Sequence, residues 1–132
     1  MRLSSLFLSV GFLLSSSFAS ADYSCASANT QTELNQCTAQ AHQAADDELN
    51  AVYQTLVSRL EGNSVSLEKL RAAQRAWIGF RDAECAFESS AVEGGSALPM
   101  VRNGCLEALT EARTERLQEH AHCEEGDISC PW

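Results

Sequence analysis

Gln74, Trp77, Arg81 and Cys85 place an amide, an indole, a guanidinium and a thiol at helical spacing. At about 100° per residue all four fall within one arc of a helix, roughly 80° wide. A guanidinium in such a stripe has three uses: it can serve catalysis, dock a partner, or pair with a carboxylate inside the fold. Upstream, Asp46, Asn50 and Tyr53 recur at steps of four and three and so share a helix face as well.

Two other clusters carry chemical potential. The run Asp46-Asp47-Glu48 supplies neighbouring carboxylates, the material of general acid and base pairs. Adjacent helical residues point in different directions, however, which leaves Asp47 and Glu48 solvated. The tail His120-Ala121-His122-Cys123, followed by Cys130, holds the soft ligand types that copper or zinc prefers. The competing use of its cysteines is a small disulfide loop, favoured in an oxidising compartment. Beyond residue 21 the histidines are His42, His120 and His122, and none forms a recognisable motif with a serine or cysteine nucleophile. There is no C-x-x-C, hence no support for a thioredoxin-type motif or a zinc ribbon. The sequence therefore points to a non-enzymatic protein with no metal and no other cofactor, a metal-binding secreted protein being one alternative.

The elements that must position these residues are helical. Thr30-Gln31-Thr32-Glu33 matches a capping box. Behind it Leu34, Cys37, Ala41, Ala45, Leu49, Val52, Leu56 and Leu60 recur at steps of three and four, predicting one long amphipathic helix. Gly62 is expected to end it in the left-handed conformation. Ser66 is expected to cap a second helix over residues 67–88, with Leu70, Ala73, Trp77, Phe80 and Phe87 as its apolar positions. Residues 89–98 contain Gly94-Gly95-Ser96 and predict a loop. Pro99 suits the first turn of a third helix, carried by Val101, Cys105, Leu109, Ala112 and Leu117 and ending near His120.

Short connections make consecutive helices antiparallel, so the expected fold is all-α, an antiparallel three-helix bundle stapled by disulfides. If the first hairpin turns midway between Asn63 and Ser64, Asp46 lies level with Arg81, Asn50 with Trp77 and Tyr53 with Gln74. The two polar stripes then meet. Asp46 and Arg81 form a charge-assisted pair, and the two amides and the Tyr53 hydroxyl satisfy one another. Breaking a fully buried pair of this kind costs about 3 to 5 kcal/mol.

Residues 1–21 carry Arg2, an apolar run and Ala19-Ser20-Ala21, the pattern of a signal peptide cut before Asp22. The run is too short to persist as a membrane span. Cys25 does not directly follow the cleavage pattern, which disfavours a lipid-modified cysteine. Residues 22–132 then form one periplasmic or secreted domain. Six cysteines allow 15 connectivities. Their placement favours Cys85–Cys105, which straddle the 89–98 loop, together with Cys25–Cys37 and Cys123–Cys130.

The full chain has 9 basic and 18 acidic residues, a formal charge of −9 that becomes −10 once Arg2 leaves. Such a balance argues against nucleic acid and favours cationic partners.

The patterns D-x-x-L-N-x-x-Y (Asp46, Leu49, Asn50, Tyr53) and Q-x-x-W-x-x-x-R-x-x-x-C (Gln74, Trp77, Arg81, Cys85) resemble the LprI-like lysozyme-inhibitor family. The Gly-Gly-Ser loop, Cys105-Leu106 and Arg113 also fit it. The resemblance implies a small secreted helical domain whose partner is lysozyme or another cationic protein. The alternative within the same fold is a structural or interaction module of the cell envelope without lysozyme activity. Packed stripes present little to a macromolecule, so the expected contact residues are Gly94, Gly95 and Ser96 on the loop. Asp46, Asn50, Tyr53, Gln74, Trp77 and Arg81 are expected to hold the fold together.

Overall fold

The computed structural model describes residues 25–124 and 126–132. The signal-peptide expectation for residues 1–21 lies outside them. The chain forms three long helices, α1 (Gln31–Arg59), α2 (Ser64–Glu88) and α3 (Leu98–Ala121), with no strand among the described residues. Short 3-10 turns at Cys25–Ser27 and Ser90–Val92 precede α1 and follow α2.

α1 starts where its capping box dictates. The Thr30 hydroxyl accepts from the Glu33 N–H at 3.2 Å, and the Glu33 carboxylate accepts the N–H groups of Thr30 and Asn29 at 3.0 and 2.8 Å. These donors hold the Glu33 carboxyl below its usual range. The end of α1 departs from expectation. Gly62 does not take positive φ, which occurs at Gly94 and Gly126. Instead Leu60 caps the helix, and a tight turn closes through the Asn63 N–H donating to the Leu60 carbonyl at 2.8 Å. The same Asn63, not Ser66, caps α2: its side-chain oxygen accepts from the Ser66 N–H at 3.1 Å. Asparagine is at least as good a cap as serine, and capping here lets α2 begin at Ser64 rather than 67. Pro99 falls in the first turn of α3 as expected.

The helices run up, down and up, so α1 and α3 point the same way. Cross-contacts fix that register: Asn35 meets Ser96, Gln31 meets Met100, Glu48 meets Gln118, and Arg59 donates to the Ala121 carbonyl. α1 packs most closely against α3, while α2 lies against α3 and farther from α1. Small side chains permit the close approach: Ala41 and Ala45 are buried on α1, Thr110 and Thr114 on α3. Leu49, Leu56, Leu117 and Ala121 form the core, with Val52, Tyr53, Leu70 and Trp77 packed on it.

On α2 the buried stripe is the partly polar one. Leu70, Gln74, Trp77, Arg81 and Cys85 face inward, fully or half-buried, whereas Ala73, Ala76, Phe80, Ala83 and Phe87 face solvent. The expectation that Phe80 and Phe87 belong to the core is therefore corrected; they are 55% and 72% exposed. The Cys85–Cys105 bridge and the Arg81 ion pair orient the helix by its other face. Ala112 is likewise exposed, while its neighbours Thr110 and Thr114 turn inward.

Candidate functional site

The inward stripe of α2 meets α1 through Arg81. Its Nη1 lies 3.3 Å from the Asp46 carboxylate and its Nη2 3.0 Å from Asp82. The guanidinium also sits 5.1 Å from the Trp77 ring centre. Arg113 approaches the same ring from α3 at 5.9 Å and donates through Nε to the Gln74 Oε1 at 3.1 Å. Trp77 thus contacts two arginines, one on α2 and one on α3. The expected mutual satisfaction of Asn50, Gln74 and Tyr53 is not what forms. Gln74 turns to α3, Asn50 donates to Asp46 on its own helix at 3.4 Å, and Tyr53 packs on the core. The reason is the position of α2, which shares its inner face between α3 and α1.

His42 lies beside this cluster with its Nδ1 buried and unpartnered among the described residues. Burial, then the nearby Arg81, push its pKa below the usual 6.5. Arg81 is spent on Asp46 and Asp82, and Asp47 and Glu48 are exposed on α1.

At the opposite extreme of exposure is the end of the molecule where α2 passes to α3. Gly94 has φ of 74°, a backbone setting that glycine alone adopts without strain. At Gly95 a Cβ would lie 3.1 Å from the Val92 carbonyl oxygen, which its own N–H contacts at 3.0 Å. The loop is anchored on both sides. Asn35 of α1 donates to the Ser96 carbonyl at 3.0 Å, and the buried Ser89 hydroxyl donates to the Cys85 carbonyl at 2.7 Å. Beneath it Cys85 and Cys105 are bridged, with Cα atoms 5.5 Å apart. Cys25 is bridged to Cys37 beside the start of α1. Gly94, Gly95 and Ser96 are all solvent-exposed, and so are Phe87, Glu88 and Glu93. The aromatic in this group escapes a periodicity argument, which assigns it to the core. No signal within α2 reveals it, because Ala73, Ala76, Phe80, Ala83 and Phe87 recur at steps of three and four as regularly as the buried stripe does.

In the C-terminal tail Cys123 and Cys130 are bridged, with Asp127 beside them. A disulfide carries no thiolate with which to ligate a metal. His122 Nδ1 lies 2.8 Å from the Gln118 carbonyl.

The molecule is a disulfide-stapled helical domain with an exposed loop anchored on both sides. The family of lysozyme inhibitor LprI matches residues 21–117, and the chain belongs to it. An uncharacterized protein of Rhizobium meliloti (strain 1021) is 40% identical over 106 residues, 72% of this chain and 76% of the relative. The crystal structure of a DUF1311 family protein from Pseudomonas putida KT2440 superposes with a TM-score of 0.65 at 24% identity. It covers 72% of this chain and 97% of that one, a likeness of fold. Among the described residues, no helix is long and apolar enough to cross a membrane.

Proposed function

We propose that the protein is a secreted or periplasmic, non-enzymatic inhibitor that binds lysozyme through the α2–α3 loop end. Membership of the LprI family carries this reading. The loop end supports it with three physical features. The bridge under residues 89–98 and the Asn35 anchor give a preorganised surface, which lowers the entropy lost on binding. Phe87, 72% exposed, is an aromatic anchor of the type that dominates interface energetics. Glu88 and Glu93 surround it with negative charge, suited to the rim of a contact with a cationic enzyme.

Gly94, Gly95 and Ser96 supply close backbone approach, while Asp46, Asn50, Tyr53, Gln74, Trp77 and Arg81 hold the frame. The direct test is a cell-wall lysis assay with the oxidised protein lacking residues 1–21. Inhibition should saturate near one equivalent of lysozyme, and Phe87→Ala should raise the inhibition constant by on the order of tenfold or more without changing the melting temperature. No inhibition of several lysozymes at large molar excess would leave the envelope-module reading in its place.

A further inference from the structure

Because α2 stands off α1, an apolar cleft of about 260 Å³ opens at the hairpin end of the molecule, far from the 89–98 loop. Leu56 and Leu60 of α1, Leu70 of α2, Leu117 of α3 and Pro131 of the tail line it. The polar groups in the lining are Lys69, Arg113, His120 and Ser66, and among the described residues no carboxylate lines it. In a chain of net charge −9 that selection is contrary to composition. Arg113 is half-buried, hydrogen-bonded to the neutral Gln74, and has no ion pair among the described residues; Lys69 has none either. Burial and the neighbouring Arg116 disfavour the charged forms of Arg113 and His120, so Lys69 and Arg113 carry the positive charge of the cleft, and among the described residues Arg113 is met only by the Gln74 oxygen and the Trp77 ring.

We infer that this cleft binds a single-chain amphiphilic anion, an alkyl carboxylate whose chain lies on the leucines and whose head group meets Lys69 and Arg113. Charge complementarity selects the anion. The apolar floor selects the chain, and the volume, below the roughly 300–1,000 Å³ usual for small-molecule pockets, selects one short chain over a two-chain lipid. The tail completes the site. The Cys123–Cys130 bridge closes a compact loop, Pro131 reaches the cleft, and Trp132 lies 5.4 Å from the Arg59 guanidinium.

The test is isothermal titration calorimetry of the oxidised protein with decanoate below its micelle concentration. Decanol and decyltrimethylammonium serve as equal-chain comparators. Decanoate should saturate at one equivalent, with decanol about tenfold weaker and the cationic amphiphile weaker still. Arg113→Met and Lys69→Met should each weaken decanoate about tenfold and leave decanol unchanged. Ala73→Trp places bulk at an exposed position on the cleft wall and should abolish binding of both in a protein that keeps its helicity. Absence of saturable heat with decanoate would overturn the inference, as would equal affinity for decyltrimethylammonium or binding that survives Ala73→Trp. Binding to phosphatidylglycerol vesicles without binding of free decanoate would also overturn it, in favour of a membrane surface. Lysozyme inhibition, seated at the other end, should be indifferent to Ala73→Trp, so this site and the inhibitor reading fail separately.

Discussion

Arg81 shows how far a side chain can be polar and still belong to the interior. Its side chain is 13% exposed, yet Asp46 is 36% exposed, so the pair is only partly removed from water. The full cost of breaking a buried pair therefore does not apply. Loss of the ion pair and of the Trp77 contact should lower unfolding free energy by about 1–2 kcal/mol in Arg81→Met. Arg75→Met, at an exposed position of the same helix, should change it by less than about 0.5 kcal/mol. Urea unfolding of the two variants measures the difference, and equal midpoints would show that Arg81 is not a structural residue. His42, next to it, adds a pH dependence. Its folded pKa lies below the usual 6.5, so between the two values the unfolded chain binds a proton that the folded chain refuses. Stability from this group is complete above about pH 6.5 and is lost as pH falls below it. His120 shifts in the same direction and adds to the loss. A melting series from neutral to mildly acid pH should slope downward in the wild type and more gently in His42→Gln. Identical slopes would place the acid sensitivity elsewhere.

At the scale of elements, the covalent staple matters most where the two faces of α2 compete. The Cys85–Cys105 bridge spans 20 residues, and its removal in a Cys85→Ala, Cys105→Ala double variant should cost about 3 kcal/mol by the loop-entropy estimate. Calorimetry reads that loss. A drop no larger than that for removing the Cys123–Cys130 bridge, which spans 7 residues, would show that the longer bridge is not the principal staple. Much of this level was legible in advance. The Thr30 capping box, Pro99 and the level placement of Asp46 with Arg81 follow from local chemistry and hairpin geometry. What stayed hidden was which stripe of α2 is covered. Periodicity finds the Ala73, Phe80 and Phe87 face as readily as the Gln74, Trp77 and Arg81 face, and hydrophobicity favours the wrong one. The choice is made by partners on other helices, Asp46 on α1 and Cys105 and Arg113 on α3, which no window along one helix contains. For the same reason hairpin register alone pairs Gln74 with Tyr53, whereas Arg113 of α3 takes it. The same ambiguity hides the exposure of Phe87, central to the proposed contact.

On the scale of the whole molecule, charge is unevenly placed. Glu84, Glu88 and Glu93 border the loop end and Glu33 opens α1 beside it, whereas Arg59, Lys69, Arg71, Arg113 and Arg116 gather toward the hairpin and tail. On the proposed function, this asymmetry would draw a cationic enzyme to the loop end and turn it as it arrives, raising the association rate more than lowering the dissociation rate. The Debye length shrinks from about 30 Å at 0.01 M salt to about 8 Å at 0.15 M, so long-range guidance should fade over that interval. The expected result is an association rate for lysozyme that falls by on the order of tenfold between those conditions while dissociation changes little. Reversing Glu88 and Glu93 to lysine should reproduce the slow rate at low salt and flatten the salt dependence. The same reversal at Glu111 and Glu115, exposed on α3, lowers net charge equally but leaves the loop end acidic. Stopped-flow mixing separates the two cases. If both double variants slow association alike, overall charge alone draws lysozyme in, and the loop end has no privileged role in the encounter.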